Sequence, residues 1–316
     1  MKAVAFSKFG GPDVLEVIEL PIPQPGPDDV VVRIAAATVN PTDIMMRSGK
    51  QAALMVALTP PYVAGMEFSG HIYSAGSGVM KFQIGQPVMG VVNPRRSNGG
   101  SQAEYLCVPA KSVAMLDPSI DLVQAATVPM NGLTAKIALD LLSLQPGNSV
   151  LVTGAAGAVG GYFIQLAKTA GLKVVADAKE GDIDTIRGLG ADHIVPRGPT
   201  MVATVRALFP QGVDALLDTA LIGDVASAAV RDDGSAVSLR KSNPITDTRL
   251  RTHYVAVTER MEDTPVLEWL AELIRTGEVT PRVGCTLPMT EASAANALVE
   301  RGNMRGRMVL LFNDAG

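Results

Sequence analysis

Three glycines spaced three residues apart constrain this chain more than any other feature of its sequence. A short β-branched run, Ser149–Thr153, predicts a buried strand. Gly154, Gly157 and Gly160 follow it at once, and a helical apolar pattern occupies residues 160–171. A glycine triplet between a strand and a helix is the pattern that binds a dinucleotide. The first glycine permits a tight turn, the second admits a pyrophosphate close to the backbone, and the third lets the helix pack on the sheet.

The residues between these glycines complete the predicted site. Ala155, Ala156, Ala158 and Val159 offer small side chains and backbone amides at the mouth of the helix. Those amides and the helix dipole favour an anion. The pattern therefore predicts a dinucleotide-binding loop, and the alternative is a tight turn between strand and helix with no ligand.

The segments after this loop alternate between predicted strands and predicted helices. Strands are predicted at 149–153, 173–176, 193–195, 213–217 and around 254–257, and helices at 160–171, 183–189 and 200–208. Such alternation implies parallel strands joined by crossover helices. The fold class is therefore α/β, with a Rossmann doubly wound parallel sheet.

The two ends of the chain have a different sequence pattern from the middle. Up to about residue 120, short β-branched runs are cut by glycine and proline, which predicts an irregular β-rich domain. Its best helical signal is Pro41–Arg47, where Asp43 and Arg47 are spaced to pair on one face. The tail returns to β-like patterns and is expected to rejoin this domain. We therefore predict one domain from 1–120 and 260–316, and a dinucleotide-binding domain from 121–259.

Composition limits the partners of the chain. The 316 residues are 47% hydrophobic and 18% charged, so the chain can bury a full core and is not disordered. The net charge of -4 gives no basic surplus for nucleic acid or an anionic membrane surface. The apolar runs are too short to span a bilayer, and no secretory signal precedes the first strand. These features predict a cytoplasmic protein whose partner is a small molecule.

Several motifs together resemble the zinc-independent quinone oxidoreductase branch of the medium-chain dehydrogenase/reductase superfamily. They cover nearly the whole chain and are the opening Met1–Val4 with Gly10–Pro12, then Val39–Asp43, Gly65–Gly70, Gly100–Tyr105, Asn131–Ala135, the glycine loop, Leu189–Asp192 and Arg305–Leu310. The resemblance implies a GroES-like β-rich catalytic domain built from both chain ends, a Rossmann domain between them, and a homodimer.

The same resemblance bears on metal binding. Zinc-dependent relatives carry a cysteine at the position of Asn40 and a histidine at that of Met66. The chain has only two cysteines, Cys107 and Cys285, and no cysteine cluster near residues 90–110. Catalytic zinc takes about three protein ligands and structural zinc takes four. We therefore predict that the protein binds no metal.

Without a metal, the acceptor of the hydride must stabilise negative charge by itself. Quinones and α,β-unsaturated carbonyls do so, and they need only hydrogen-bond donors and a proton. By resemblance, Asn40 is the candidate donor, Thr42 the candidate proton relay, and Thr134 a nicotinamide contact. The tyrosine that relatives often place after Asp43 is missing, and Tyr62 is the nearest phenol. The structural alternatives are helix capping for Asn40 and Thr42, capping or helix packing for Thr134, and a buried aromatic anchor for Tyr62.

The choice between NADPH and NADH stays open in the sequence. Asp177 ends the second predicted strand, where a carboxylate accepts hydrogen bonds from a ribose 2′-hydroxyl and repels a 2′-phosphate. Lys179, Arg187 and Arg197 lie close enough in sequence to attract that phosphate. The resemblance favours NADPH, and NADH is the alternative.

Two other functions compete with a quinone or enone reductase. An enoyl-thioester reductase would need basic residues for the phosphates of its substrate, and the modest basic content argues against it. A redox sensor that binds the cofactor with little catalysis is favoured by the missing tyrosine.

Overall fold

The computed structural model describes residues 1–312, which divide into two compact units. The first unit contains Met1–Met130 together with the described residues from Thr258 onward, and the second contains Asn131–Val257. The sequence predicts independently folding domains, one at 1–120 with 260–316 and one at 121–259. These domain limits stay a prediction.

The chain up to the start of the second unit is mostly β-structure. Its elements are β1 (Lys2–Phe6), β2 (Glu16–Glu19), β3 (Asp29–Val39), α1 (Pro41–Arg47), β4 (Tyr62–Val63), β5 (Glu67–Ala75), β6 (Pro87–Val91), β7 (Tyr105–Pro109), β8 (Val113–Met115), α2 (Leu122–Ala125) and α3 (Pro129–Leu142).

The second unit alternates strands and helices. Its elements after α3 are β9 (Ser149–Thr153), α4 (Ala158–Thr169), β10 (Lys173–Ala178), α5 (Ile183–Gly188), β11 (His193–Pro196), α6 (Met201–Leu208), β12 (Val213–Asp218), α7 (Asp224–Ser227), β13 (Val230–Ser238) and β14 (Arg251–Tyr254). The chain then returns to the first unit with α8 (Thr264–Thr276), β15 (Val283–Pro288), α9 (Ala292–Arg301) and β16 (Arg307–Leu311).

The first unit holds two sheets. The larger has the order β15-β16-β3-β5-β6-β8, with β7 also paired to β3, and the smaller has the order β2-β1-β4. The long strand β3 is buried over nearly its whole length because it pairs with three other strands. β16 pairs antiparallel with β3, so the tail rejoins the first unit as the sequence predicted.

The second unit is a six-stranded parallel sheet in the order β11-β10-β9-β12-β13-β14. The chain runs outward from β9 in one direction through β10 and β11, and in the other through β12. The strand order therefore reverses between β9 and β12, and at such a point the carboxyl ends of the strands border a ligand crevice. The predicted α/β fold class, with a doubly wound parallel sheet, is confirmed.

Candidate functional site

The glycine loop is the first part of the candidate site. Gly154 has a φ of +65°, and a Cβ there would collide with Thr219 Oγ1 on the loop after β12. A Cβ on Gly157 would stand 3.0 Å from Gly154 O, and one on Gly160 would stand 2.6 Å from the same atom. Gly157 is exposed at the start of α4, where the amides of the first helical turn have no carbonyl partner within the helix. These features fit the pyrophosphate of a dinucleotide.

Asp177 has other partners than the sequence predicted. It lies at the end of β10 and is 1% exposed. Its Oδ1 accepts hydrogen bonds from Ala155 N at 3.0 Å and from Arg197 Nη2 at 3.1 Å, and its Oδ2 accepts one from Arg197 Nε at 2.8 Å. The carboxylate thus binds both the glycine loop and a guanidinium, and its predicted contact with a ribose hydroxyl stays a prediction.

The other predicted cofactor residues differ in exposure. Lys179 is exposed just beyond β10, and Arg197 is partly exposed just beyond β11. Both cations therefore stand at the carboxyl edge of the sheet, near the glycine loop in the order of the strands. Arg187 instead pairs with Asp184 on α5, on an exposed surface. Thr134 is buried within α3.

Asn40 begins α1 and caps it. Its side chain and that of Asp43 form a capping box, in which Asp43 Oδ2 accepts a hydrogen bond from Asn40 N at 2.8 Å. Pro41 fills the first helical position, where a missing N–H costs nothing. The capping alternative for Asn40 is therefore present in the structure.

The side-chain amide of Asn40 is used entirely within the protein. It is 0% exposed, and its Nδ2 donates to Thr38 Oγ1 at 2.9 Å and to Glu67 Oε1 at 3.3 Å. Its Oδ1 accepts a hydrogen bond from Arg307 Nη2. An amide nitrogen carries two hydrogens, so these contacts leave none for the oxygen of a substrate.

Glu67 and Arg307 form a buried ion pair that sequence reasoning did not single out. Arg307 Nη2 lies 3.1 Å from Glu67 Oε1, and their side chains are 8% and 0% exposed. The other oxygen of Glu67 accepts Met130 N at 2.9 Å, at the start of α3. Both residues lie in motifs that carry the resemblance, but only the contacts reveal that they join β3, β5, β16 and α3.

Thr42 occupies the second position of α1, and its hydroxyl contacts Met66 Sδ at 3.1 Å. A thioether is a weak hydrogen-bond acceptor. Thr42 is partly exposed, whereas Met66 is buried. The hydroxyl is therefore held loosely and can turn toward a stronger acceptor.

Tyr62 lines a cavity of mixed polarity in the first unit. The cavity has a volume of about 420 Å³ and is bordered by Met46, Leu58, Pro94 and Arg96 among others. The ring of Tyr62 is stacked on Phe9, with centroids 6.0 Å apart, and its hydroxyl donates to Leu58 O at 3.4 Å. The ring of Tyr62 therefore packs in an aromatic cluster, and its hydroxyl makes a long hydrogen bond to a backbone oxygen.

The predicted pair of Asp43 and Arg47 does not form, and this prediction is wrong. Arg47 turns to Glu300 on α9 and to Gly10 O, while Asp43 accepts from Gly65 N at 3.1 Å. Burial of both side chains explains the difference, because each finds buried partners from distant segments that the local helical spacing cannot anticipate.

Burial raises the pKa of Asp43 to about 7, against an ordinary value of 3.8. The folded state then holds this proton more tightly than the unfolded state, so stability should fall as pH rises from about 4 to about 7. We expect the free energy of unfolding of the wild type, relative to Asp43→Asn, to decrease by roughly 2.6 kcal/mol between pH 5 and pH 8. Urea denaturation of both proteins at several pH values measures this difference. A difference that stays constant or grows with pH would contradict the raised pKa.

The residues at the place of the zinc ligands do not fit zinc. Asn40 offers a fully bonded amide and Met66 a thioether, and neither is among the ligands that zinc takes in proteins. Within residues 1–312, no three His, Cys, Asp or Glu side chains come together in a way that could hold a metal ion.

The chain thus combines one unit that has a parallel sheet and a glycine loop with a second, β-rich unit built from both chain ends, and this combination is typical of a dinucleotide-dependent oxidoreductase. The alcohol dehydrogenase GroES-like domain matches residues 26–118, and the zinc-binding dehydrogenase family matches residues 189–310. An NADPH-dependent alkenal/one oxidoreductase of Arabidopsis thaliana is 31% identical over 98% of this chain and 79% of its own length. A 2-methylene-furan-3-one reductase of Solanum lycopersicum is 30% identical over the same shares.

The structure of the quinone oxidoreductase from Coxiella burnetii superposes with a TM-score of 0.87 at 27% identity, covering 99% of each chain. The chain belongs to the quinone oxidoreductase branch of the medium-chain dehydrogenase/reductase superfamily, and it is an oxidoreductase. The predicted family is thereby confirmed. No helix within residues 1–312 is long and apolar enough to cross a membrane. The predicted cytoplasmic location stays a prediction, since the relative from Arabidopsis thaliana is described as chloroplastic.

Proposed function

We propose that this protein is a zinc-free, NADPH-dependent reductase of quinones or α,β-unsaturated carbonyls. Two observations support the proposal, one in each unit: a glycine loop with an exposed Gly157 in the second unit, and a Thr42 hydroxyl that contacts a thioether in the first. The relatives described as alkenal/one oxidoreductase and 2-methylene-furan-3-one reductase support this class of acceptor. The same two relatives favour a quinone or enone reductase over an enoyl-thioester reductase or a redox sensor.

The cofactor binds at the crevice between β9 and β12 in this proposal. The amides of the glycine loop and of the first turn of α4 hold the pyrophosphate. Asp177 supports the loop through Ala155 N, and Arg197 neutralises its charge. Lys179 adds a second exposed cation at the same edge. A paired carboxylate beside two cations no longer repels a 2′-phosphate, which favours NADPH over NADH.

Thr42 relays the proton: its hydroxyl passes a proton to the reduced acceptor and regains one from solvent water. Bound NADPH supplies a hydride, and its transfer to a quinone or to the β-carbon of an enone places negative charge on the acceptor oxygen. That oxygen is a far better acceptor than the sulfur of Met66, so the Thr42 hydroxyl turns to it and stabilises the charge. Protonation then yields a hydroquinone or a saturated carbonyl. Asn40 acts only through the start of α1, and Tyr62 forms part of the wall of its cavity in the first unit.

Cofactor oxidation tests the proposal directly. The purified protein is mixed with NADPH or with NADH, and with an ortho-quinone or a short enone, in the presence of a metal chelator. We expect oxidation that depends on the acceptor, is faster with NADPH, and is insensitive to the chelator. Saturable binding of NADPH without turnover on any acceptor would favour the redox sensor instead, and loss of activity with the chelator would contradict a zinc-free enzyme.

Replacing Asp177 distinguishes a carboxylate that supports the glycine loop from one that faces the ribose of the cofactor. In Asp177→Ala, the glycine loop loses its support at Ala155 N and Arg197 loses its partner, so we expect Kd to rise about tenfold for both NADPH and NADH. Calorimetric titration with each cofactor gives the two values. Asp184→Ala, on the exposed face of α5, is the control and should bind as the wild type does. Tighter NADPH binding together with weaker NADH binding would instead show that this carboxylate faces the ribose.

A homodimer through the edge of the parallel sheet is proposed as well. β14 is the edge strand, and all four of its residues, Arg251–Tyr254, are exposed. An exposed edge strand offers unpaired backbone groups to a second strand. Light scattering should therefore give twice the mass of one chain, and Thr252→Pro should shift the protein toward the monomer, because proline removes a backbone donor from the edge.

A further inference from the structure

The cavity that Tyr62 borders has the size of a small-molecule site. Its volume of about 420 Å³ lies within the range of about 300–1,000 Å³ that ligand cavities occupy in proteins. It is bordered by Met46 of α1, but by neither Thr42 nor Met66 among the described residues. A molecule in this cavity therefore does not need to touch the hydroxyl that relays the proton in the proposed reaction.

One side of the cavity is apolar and rigid. Pro21 and Pro23 follow β2, Pro60–Pro61 precede β4, and these prolines border the cavity together with Tyr62. We call these residues the proline wall. Proline has a fixed φ and loses almost no side-chain entropy, so the wall gives up little freedom when a ligand packs on it. The ring of Tyr62 is already held by its stacking on Phe9. Such a wall suits a flat apolar ring.

Arg96 has the one charged side chain among the described residues that border the cavity. Its Nε donates to Gly99 O at 3.0 Å, and its Nη2 donates to Cys107 O. Within residues 1–312, its Nη1 donates to no protein acceptor, and no carboxylate forms an ion pair with it. Burial lowers the pKa of this guanidinium, because the charged form loses solvation. An anion bound at Nη1 would compensate that loss.

The loop that carries Arg96 is tied to the neighbouring strand. Gly100 N donates to Val63 O at 2.8 Å, which joins the end of the loop to β4. Ser97 and Asn98 are exposed on the same loop and also border the cavity. A hydroxyl and an amide next to a guanidinium add donors for the oxygens of a carboxylate. The loop therefore forms the polar side of the cavity.

We propose that this cavity binds a small organic anion, a carboxylate attached to a flat apolar ring, with the carboxylate on Arg96 and the ring on the proline wall. The guanidinium supplies a charge-assisted hydrogen bond, which is stronger than one between neutral groups. The ligand is a second small molecule and not the hydride acceptor, because Thr42 does not border the cavity. This inference does not rest on the proposed function, since every residue it uses lies in the first unit.

Calorimetric titration without NADPH tests the site with two probes, 2-naphthoate and its neutral amide, 2-naphthamide. Both probes carry the same flat ring, and only the first is an anion. We expect saturable binding of 2-naphthoate to the wild type and about tenfold weaker binding of 2-naphthamide, the difference expected for one hydrogen bond to a charged group. Equal affinities would overturn the role of the charge, and no saturable binding of 2-naphthoate would overturn the site.

Two neighbouring arginines provide a matched pair of variants. Arg96→Gln should weaken the binding of 2-naphthoate about tenfold and leave that of 2-naphthamide unchanged. Arg95→Gln is the control, because Arg95 does not border the cavity and its Nη1 donates to Gln51 Oε1 at 2.9 Å. This control should bind both probes as the wild type does. An equal loss in both variants would show that the charge of the loop as a whole attracts the anion, which would overturn the assignment to Arg96.

Leu58→Trp tests the cavity with the guanidinium left in place, since Arg96 also holds two backbone carbonyls. Leu58 is partly exposed and borders the cavity, so an indole there takes up its space and should weaken both probes about tenfold. Wild-type affinity in this variant would overturn the cavity as the place of binding. Titration of the wild type with an ortho-quinone present should give an unchanged Kd for 2-naphthoate. A Kd that rises in proportion to the quinone would overturn the separate ligand.

Discussion

Arg307→Met should destabilise the protein by about 3–5 kcal/mol, the cost of leaving one partner of a buried ion pair behind. Arg307 Nη2 contacts four acceptors in the first unit, which are Thr38 Oγ1, Val39 O, Asn40 Oδ1 and Glu67 Oε1. Without the guanidinium, the Glu67 carboxylate remains at 0% exposure and loses the cation paired with it. Urea denaturation followed by circular dichroism measures the loss.

Two further variants show whether charge or packing is responsible. Glu67→Gln combined with Arg307→Met removes both charges and should recover part of the stability, because replacing both partners avoids a lone buried charge. Arg301→Met is the control, since Arg301 is exposed at the end of α9. If Arg307→Met loses less than about 1 kcal/mol, the ion pair does not hold this part of the first unit together.

The parallel sheet was the most predictable part of the fold. Its central strands are apolar and buried on both faces, so their sequence patterns are unambiguous, and β9 is observed at the predicted residues, Ser149–Thr153. The loop glycines were predictable for a related reason, since the chain approaches itself too closely at Gly154 and Gly160 for any side chain.

The far edge of that sheet was harder to predict. β13 was not predicted because its first half contains the charged residues Arg231, Asp232 and Asp233. Asp233 also has a φ of +58°, which interrupts the alternation of apolar and polar side chains typical of a strand. β14 was predicted at 254–257 and lies at Arg251–Tyr254. An edge strand whose residues are all exposed carries no apolar period, so its pairing with β13 is what defines it.

The polar residues of the candidate site show a similar limit. Their positions in the motifs were evident from the sequence, but their partners were not. Asp177 binds Arg197, which lies 20 residues away, and Asn40 binds Arg307, which lies 267 residues away. Such contacts depend on the register between strands, which the local pattern of one strand does not contain.

These partners narrow the choice of proton donor. Of the three candidate residues, Asn40 has both amide hydrogens committed to buried acceptors, and the Tyr62 hydroxyl is turned to Leu58 O within an aromatic cluster. Thr42 alone of these three donates to an acceptor as weak as a thioether. A donor that gives up little on turning to the substrate contributes more of its hydrogen bond to the transition state.

Thr42→Val should therefore lower kcat about 100-fold for both quinone and enone acceptors, as expected for the loss of one oxyanion donor. Valine keeps the shape of threonine at this helix position, and the Kd for NADPH should stay the same because the glycine loop is untouched. Thr42→Ser restores a hydroxyl and should recover most of the rate. Steady-state kinetics with NADPH at fixed pH, together with the solvent isotope effect on kcat, measure both changes.

The neighbouring sulfur gives the strictest test of how this hydroxyl works. Met66→Leu removes the thioether at nearly constant volume, so the Thr42 hydroxyl loses only a weak partner and kcat should change less than threefold. Met66→Gln instead places a strong amide acceptor beside it, which should capture the hydroxyl and lower kcat toward the level of Thr42→Val. Full activity in Thr42→Val would mean that water delivers the proton, and equal rates in Met66→Leu and Met66→Gln would show that the weak acceptor has no part in catalysis.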